Sequence, residues 1–157
     1  MDVATQETGP ARKVDGALAE GLATTRVGVL VLVEVDACTP QVMDGLLEAL
    51  EGVLPARASL HGVADAMFAI VAPGHSLFDG WSLVELTREL FAHEGVRVSV
   101  GLAAWPLEGP TVTDVFGAAV ASLVDDRSRP RAPEVEARVE VDGLEFSFLG
   151  AGELLSA

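Results

Sequence analysis

The sequence predicts an α/β fold: a central sheet covered by helices, followed by a β-hairpin at the C-terminal end. Three observations lead there. Val27 to Asp36 reads Val-Gly-Val-Leu-Val-Leu-Val-Glu-Val-Asp, an apolar run without alternation, as expected of a strand covered on both faces. Met67 to Val71 is a second run of the same kind. Between and after these runs lie stretches with apolar residues at helical spacing and helix start and stop signals.

The elements follow in order. Residues 1–26 carry scattered charge and a weak apolar set, Val14, Leu18 and Leu22, which predicts a flexible or marginally helical segment. The central strand comes next. Thr39-Pro40 then supplies an N-cap with proline in the first helical turn, Val42, Leu46, Leu47, Leu50 and Leu54 form one apolar stripe, and Pro55 stops the helix. Arg57–Leu60 and Asp65–Ala72 read as two strands joined near His61-Gly62. Ser82 and Glu85 have capping-box spacing and open a helix to Ala92, with Gly95 as its stop. Val96–Ala103 is a fourth strand, and Thr113 to about Val124 a third helix whose core face is Val115, Phe116, Ala119, Val120 and Leu123. Asp125–Pro133 is a charged linker. Asp142-Gly143 then joins strands at Val135–Val141 and Leu144–Leu149, because Asp-Gly suits a two-residue hairpin turn.

Composition narrows the function. The net charge is −14 and Lys13 is the sole lysine of 157 residues, so the surface repels phosphate backbones and nucleic acid is not an expected partner. No apolar run reaches the ~18–20 residues of a membrane span, and no leader-like block precedes residue 26; a cytoplasmic protein is expected, with no membrane partner. The single cysteine, Cys38, makes no internal disulfide and no cysteine zinc site, and it reads as an inert thiol beside a core strand.

The element order, and four segments in turn, resemble the GGDEF family of diguanylate cyclases over about residues 27–126. Val-Arg-Val-Ser-Val-Gly-Leu-Ala-Ala-Trp-Pro-Leu-Glu-Gly from Val96, with the Thr/Asp-capped helix after it, resembles that family's late strand, loop and helix. The end of the first strand is similar to the family's acid-bearing strand, with Glu34 and Asp36 at the two acid positions and, being two residues apart, on the same side. The resemblance implies a GGDEF/nucleotidyl-cyclase palm-like domain with a mostly antiparallel sheet, in a bacterial signalling protein. It divides the chain into a 1–26 segment, a 27–126 domain, and a 127–157 linker and hairpin.

The diagnostic chemistry departs from that family. Where the family has Gly-Gly-Asp/Glu-Glu-Phe, this chain has Ala64-Asp65-Ala66-Met67-Phe68. The glycines that let backbone approach a triphosphate are replaced, and the metal-binding acid is Ala66. The guanine-reading asparagine has no counterpart, since the chain contains no asparagine. Glu34, Asp36 and Asp65 are therefore expected to be vestigial acids, with no catalytic residue, cofactor or metal. The expected role is a catalytically inactive GGDEF-like module that binds another protein or a second copy of itself, the acidic balance favouring a basic patch on the partner. Phe78, Trp81 and Trp105 lie in or beside loops and are the candidate anchors.

A competing constellation is His75-Ser76-Leu77-Phe78-Asp79-Gly80, which resembles the His-x-x-x-Asp-Gly stretch of peptide-synthetase condensation domains. It implies a small acyl-transfer or hydrolytic enzyme with His75 as base and Asp79 as its structural acid. The plainer reading is a loop and helix start in which Asp79 favours the helix dipole. The two separate on geometry: the enzyme needs His75 inside a pocket.

Overall fold

The computed structural model describes residues 10–129, 137–141 and 144–148, with side chains for residues 13–129. Its elements are α1 (Pro10–Thr24), β1 (Gly28–Val35), α2 (Pro40–Val53), β2 (Ser59–Ala64), β3 (Met67–Pro73), α3 (Leu77–His93), β4 (Val98–Trp105), α4 (Val112–Ser128), β5 (Ala137–Val141) and β6 (Leu144–Phe148). Two compact units divide the chain after Arg127. The first holds a four-stranded sheet in the order β2-β3-β1-β4, and the second holds β5 paired with β6. Every pairing is antiparallel.

The unalternating run of β1 has its cause in this order. The strand lies between β3 and β4, and Val29 to Val33 are all 0% exposed. Each such side chain contributes about 1.5–3 kcal/mol by burial, before the entropy of ordering it. Odd residues Val29, Val31, Val33 and Val35 face α2 and α3, joining Phe68, Ile70, Leu46, Leu50, Leu83 and Phe91. Even residues Leu30 and Leu32 face the opposite layer, with Val14 and Leu18 of α1 and Val115, Ala119 and Leu123 of α4. Phe68 and Phe91 stack with ring centroids 5.7 Å apart, fixing α3 over β3.

α2 runs as its sequence signals direct: Thr39 accepts from the Val42 amide at 3.3 Å, Pro40 follows, and the helix ends at Val53 before Pro55. Its stripe is narrower than expected, since Leu46 and Leu50 are buried and Val42 is exposed.

Several expectations are corrected. The N-terminal segment is no marginal helix over Pro10–Thr24: Val14 and Leu18 are fully buried against the sheet, and that packing supplies what propensity lacks. The β2–β3 hairpin turns at Asp65-Ala66, not His61-Gly62; Gly62 lies within β2, at a register shift toward Ala64. α3 begins five residues before Ser82. Its N-cap is Ser76, which accepts from the Asp79 amide at 3.1 Å while the Asp79 carboxylate accepts from the Ser76 amide at 3.0 Å. Ser82 is inside the helix, donating to the Phe78 carbonyl. Gly95, at φ 73°, follows the helix as expected. α4 continues through Asp125-Asp126 to Ser128, so those residues are helix rather than linker. Asp142-Gly143 lies outside the described residues, although β5 and β6 flank it in register.

Candidate functional site

The C-terminal end of β1, the start of α2 and the β2–β3 turn converge on one cleft of about 490 Å³. Its lining is Val35, Ala37, Cys38, Pro40, Met43, Asp44, Asp65 and Ala66. The convergence follows from topology. β1 and β3 are antiparallel neighbours, with Glu34 opposite Met67, so the end of one strand and the start of the next lie side by side. The Val35 amide donates to the Ala66 carbonyl at 2.7 Å and ties the turn to the strand end. Thr39 and Pro40 then turn the chain into α2 over the same place.

Of the three acids the sequence singled out, only Asp65 lines this cleft. Glu34 shares a strand face with Leu30 and Leu32, away from α2, and its carboxylate accepts from Arg127 at 2.8 Å. Asp36 lies one residue past the end of β1 and is exposed. The Asp36 amide donates to the Arg97 carbonyl at 2.9 Å. Sequence reasoning missed Met43 and Asp44 as cleft residues. Their signal was position: the first two turns of a helix capped directly after a central strand lie beside the strand's end.

The chemistry of the lining is acidic and apolar. Asp44 and Asp65 are its carboxylates, Cys38 and Met43 its sulfurs, and no lysine or arginine is among the lining residues. The Cys38 thiol is spent on the Thr39 carbonyl at 3.5 Å. Among the described residues, no three histidine, cysteine, aspartate or glutamate side chains are grouped so as to hold a metal ion. Two Mg²⁺ ions and a triphosphate need convergent carboxylates and cationic clamps, so this residue set does not fit them.

His75 and Asp79 are each engaged locally, in the loop and in the helix cap. His75 Nδ1 is 3.2 Å from the Pro73 carbonyl, and the residue is not part of the lining of the cleft at the β2–β3 turn. Asp79 is committed to the α3 cap. The hydrogen bond from the Ser76 amide holds its carboxyl below the ordinary aspartate range, aided by the Ser76 hydroxyl and the nearby His75. Gly80 is the buried third member of the constellation: a Cβ there would press on Leu102 and Val29, so the glycine lets α3 approach the sheet. Cap and close packing account for the Asp-Gly pair.

The candidate anchors separate. Phe78 is 78% and Trp81 55% exposed, both on the first turns of α3. Trp105 is 2% exposed; it packs with the α1/α4 layer, its ring fills the space over Gly28, and its indole N–H points to the Thr25 carbonyl at 3.4 Å. It is a core residue. Its expected exposure fails because β4 runs to Trp105 instead of ending at Ala103.

The sequence matches no protein-family model and no curated protein. Its fold matches solved GGDEF domains. A microbial GGDEF domain solved with cyclic di-GMP aligns at a TM-score of 0.67 and 17% identity, over 74% of this chain and 83% of that one. The active GGEEF domain of a Vibrio cholerae diguanylate cyclase aligns at 0.64 and 14%, over 75% and 87%. A Pseudomonas aeruginosa diguanylate cyclase in complex with its activator aligns at 0.62 and 20%, over 80% of this chain and 61% of that one. The chain therefore has the GGDEF fold, the palm-like α/β architecture with an antiparallel sheet.

Proposed function

We propose that this chain is a catalytically inactive GGDEF-fold module that acts by binding another protein rather than by cyclising GTP. The observation that carries the reading is the cleft at the β2–β3 turn. The turn is Asp65-Ala66, flanked by Ala64 and Met67, so its acid is displaced and no glycine admits a phosphate against the backbone. The lining offers two carboxylates and no cation to a triphosphate. Glu34, one of the two acids at the family's acid positions, is paired with Arg127.

Protein binding is supported by the exposed aromatics Phe78 and Trp81 and by the acidic surface. It is in keeping with the neighbour solved in complex with its activator. Among the described residues no helix is long and apolar enough to cross a membrane.

Incubation of the purified chain with GTP and Mg²⁺ or Mn²⁺ tests inactivity. No cyclic di-GMP should form. The triple change Asp65→Gly, Ala66→Asp, Met67→Glu should also yield none, because the cationic clamps are still missing. Product from the unaltered chain that Asp36→Ala abolishes would refute the reading.

A further inference from the structure

The strongest unassigned feature is the outer face of α3. At 100° per residue, Phe78, Glu85 and Glu89 fall on one line along the helix, with Trp81 about 60° to one side. All four are exposed. The line is apolar at its start and acidic for its next two turns, and it spans about 16 Å from Phe78 to Glu89. Leu77, 41% exposed, widens the apolar end. Trp81 makes no hydrogen bond or ring contact among the described residues. α2, on the same side of the sheet, has no basic residue and exposes Asp44, Glu48 and Glu51. The basic side chain within this stretch of α3 is Arg88, and its guanidinium is held by Asp126.

Resting on the reading above that the chain works by binding, we propose that this face is a docking surface for a basic amphipathic helix of a partner protein. Phe78 and Trp81 are its apolar anchors, and Glu85 and Glu89 seat the partner's cations. Charge decides between occupants. A second copy meeting this face about a two-fold axis would set its own carboxylates against these, with a net charge of −14 on each chain. A helix with leucine or aromatic residues at one end and lysine or arginine over the following two turns satisfies both halves of the stripe.

The test titrates the full chain with a synthetic amphipathic helix of about 18 residues, leucine on one face and lysine on the other, long enough to cover the stripe at ~1.5 Å per residue. A charge-reversed glutamate peptide is the control. Binding of the lysine peptide is expected, with a blue shift of tryptophan emission, since Trp81 becomes covered while Trp105 is already buried. Glu85→Lys with Glu89→Lys should weaken it about tenfold or more, and so should Phe78→Ala with Trp81→Ala, read by calorimetry; tenfold corresponds to about 1.4 kcal/mol. Three outcomes overturn the proposal: no binding, equal binding by both double variants, or a concentration-dependent dimer that Trp81→Glu abolishes, which assigns the face to a second copy. Failure here leaves the GTP assay untouched. Conversely, cyclase activity would refute inactivity whether or not the peptide binds.

Discussion

Asp126 of α4 and Arg88 of α3 meet around the outer edge of β4, although their helices pack on opposite faces of the sheet. The Arg88 Nη2 donates to both Asp126 oxygens at 3.1 and 3.2 Å, and the same carboxylate accepts from the Val100 amide at 2.8 Å. One turn earlier, Ser122 accepts from the Leu102 amide at 3.1 Å. Side chains of α4 thus occupy edge amides of β4 that would otherwise be open to another strand.

Removing the clasp should be costly because it orphans an arginine and a strand amide together. Asp126→Ala is expected to lower unfolding free energy by about 1.5–3 kcal/mol, the range for hydrogen bonds to charged groups. Arg88→Met should cost less, since the Val100 amide keeps its acceptor. In urea melts the two changes combined should fall short of their sum, as for any residues in one network. Strict additivity would argue that the pair is not coupled.

The clasp reaches the edge because α4 crosses β4 at Gly101, where a Cβ would strike the Ala119 carbonyl and the Leu123 amide. Both obstacles are backbone, so neither can rotate away. Gly101→Ala should therefore destabilise the fold by about 1–3 kcal/mol or more, as overpacking does. A midpoint unchanged from the parent chain would contradict the contact.

The start of α3 offers a comparison between two serines. Ser76→Ala should cost about 0.5–2 kcal/mol, as loss of an N-cap does. Ser82→Ala, inside the helix and exposed, should stay within about 0.5 kcal/mol. The cap also carries a pH signature. Asp79 has a lowered pKa in the folded chain, so its contribution is present above the ordinary aspartate value near 4 and is lost as pH falls through it toward the folded value. Asp79→Asn should flatten that acid limb.

His61 gives a second, separate pH limb. Its ring lies on edge strand β2, with Nε2 2.7 Å from the Ser59 hydroxyl. Partial burial lowers its pKa, and the nearby Lys13 adds to the effect. The unfolded chain then binds the proton first, so stability is full above about 6.5 and declines as pH falls from there toward the lowered folded value. His61→Gln should remove that decline in thermal melts between neutral and mildly acidic pH. A decline of the same size in the variant would assign it elsewhere.

The central position of β1 and β3 was legible in the residues themselves, because a run of valine and leucine without alternation has one physical solution, cover on both faces. So were the Thr39-Pro40 start and Pro55 stop of α2, and the glycine after α3, since these are local and stereochemical. The likeness to the GGDEF fold was legible for the same reason: four segments kept their order and their buried faces.

Tertiary structure decided what local signals left open. Two capping sites compete at the start of α3, Ser76-x-x-Asp79 and Ser82-x-x-Glu85, and only docking of Gly80 against Leu102 and Val29 selects the first. α1 is weak by propensity and exists because Val14 and Leu18 find the sheet. Trp81 and Trp105 look alike in sequence, yet one is exposed and the other fills the space over Gly28. Glu34 ended on an arginine 93 positions away, a pairing that strand order and helix packing create and no local pattern encodes.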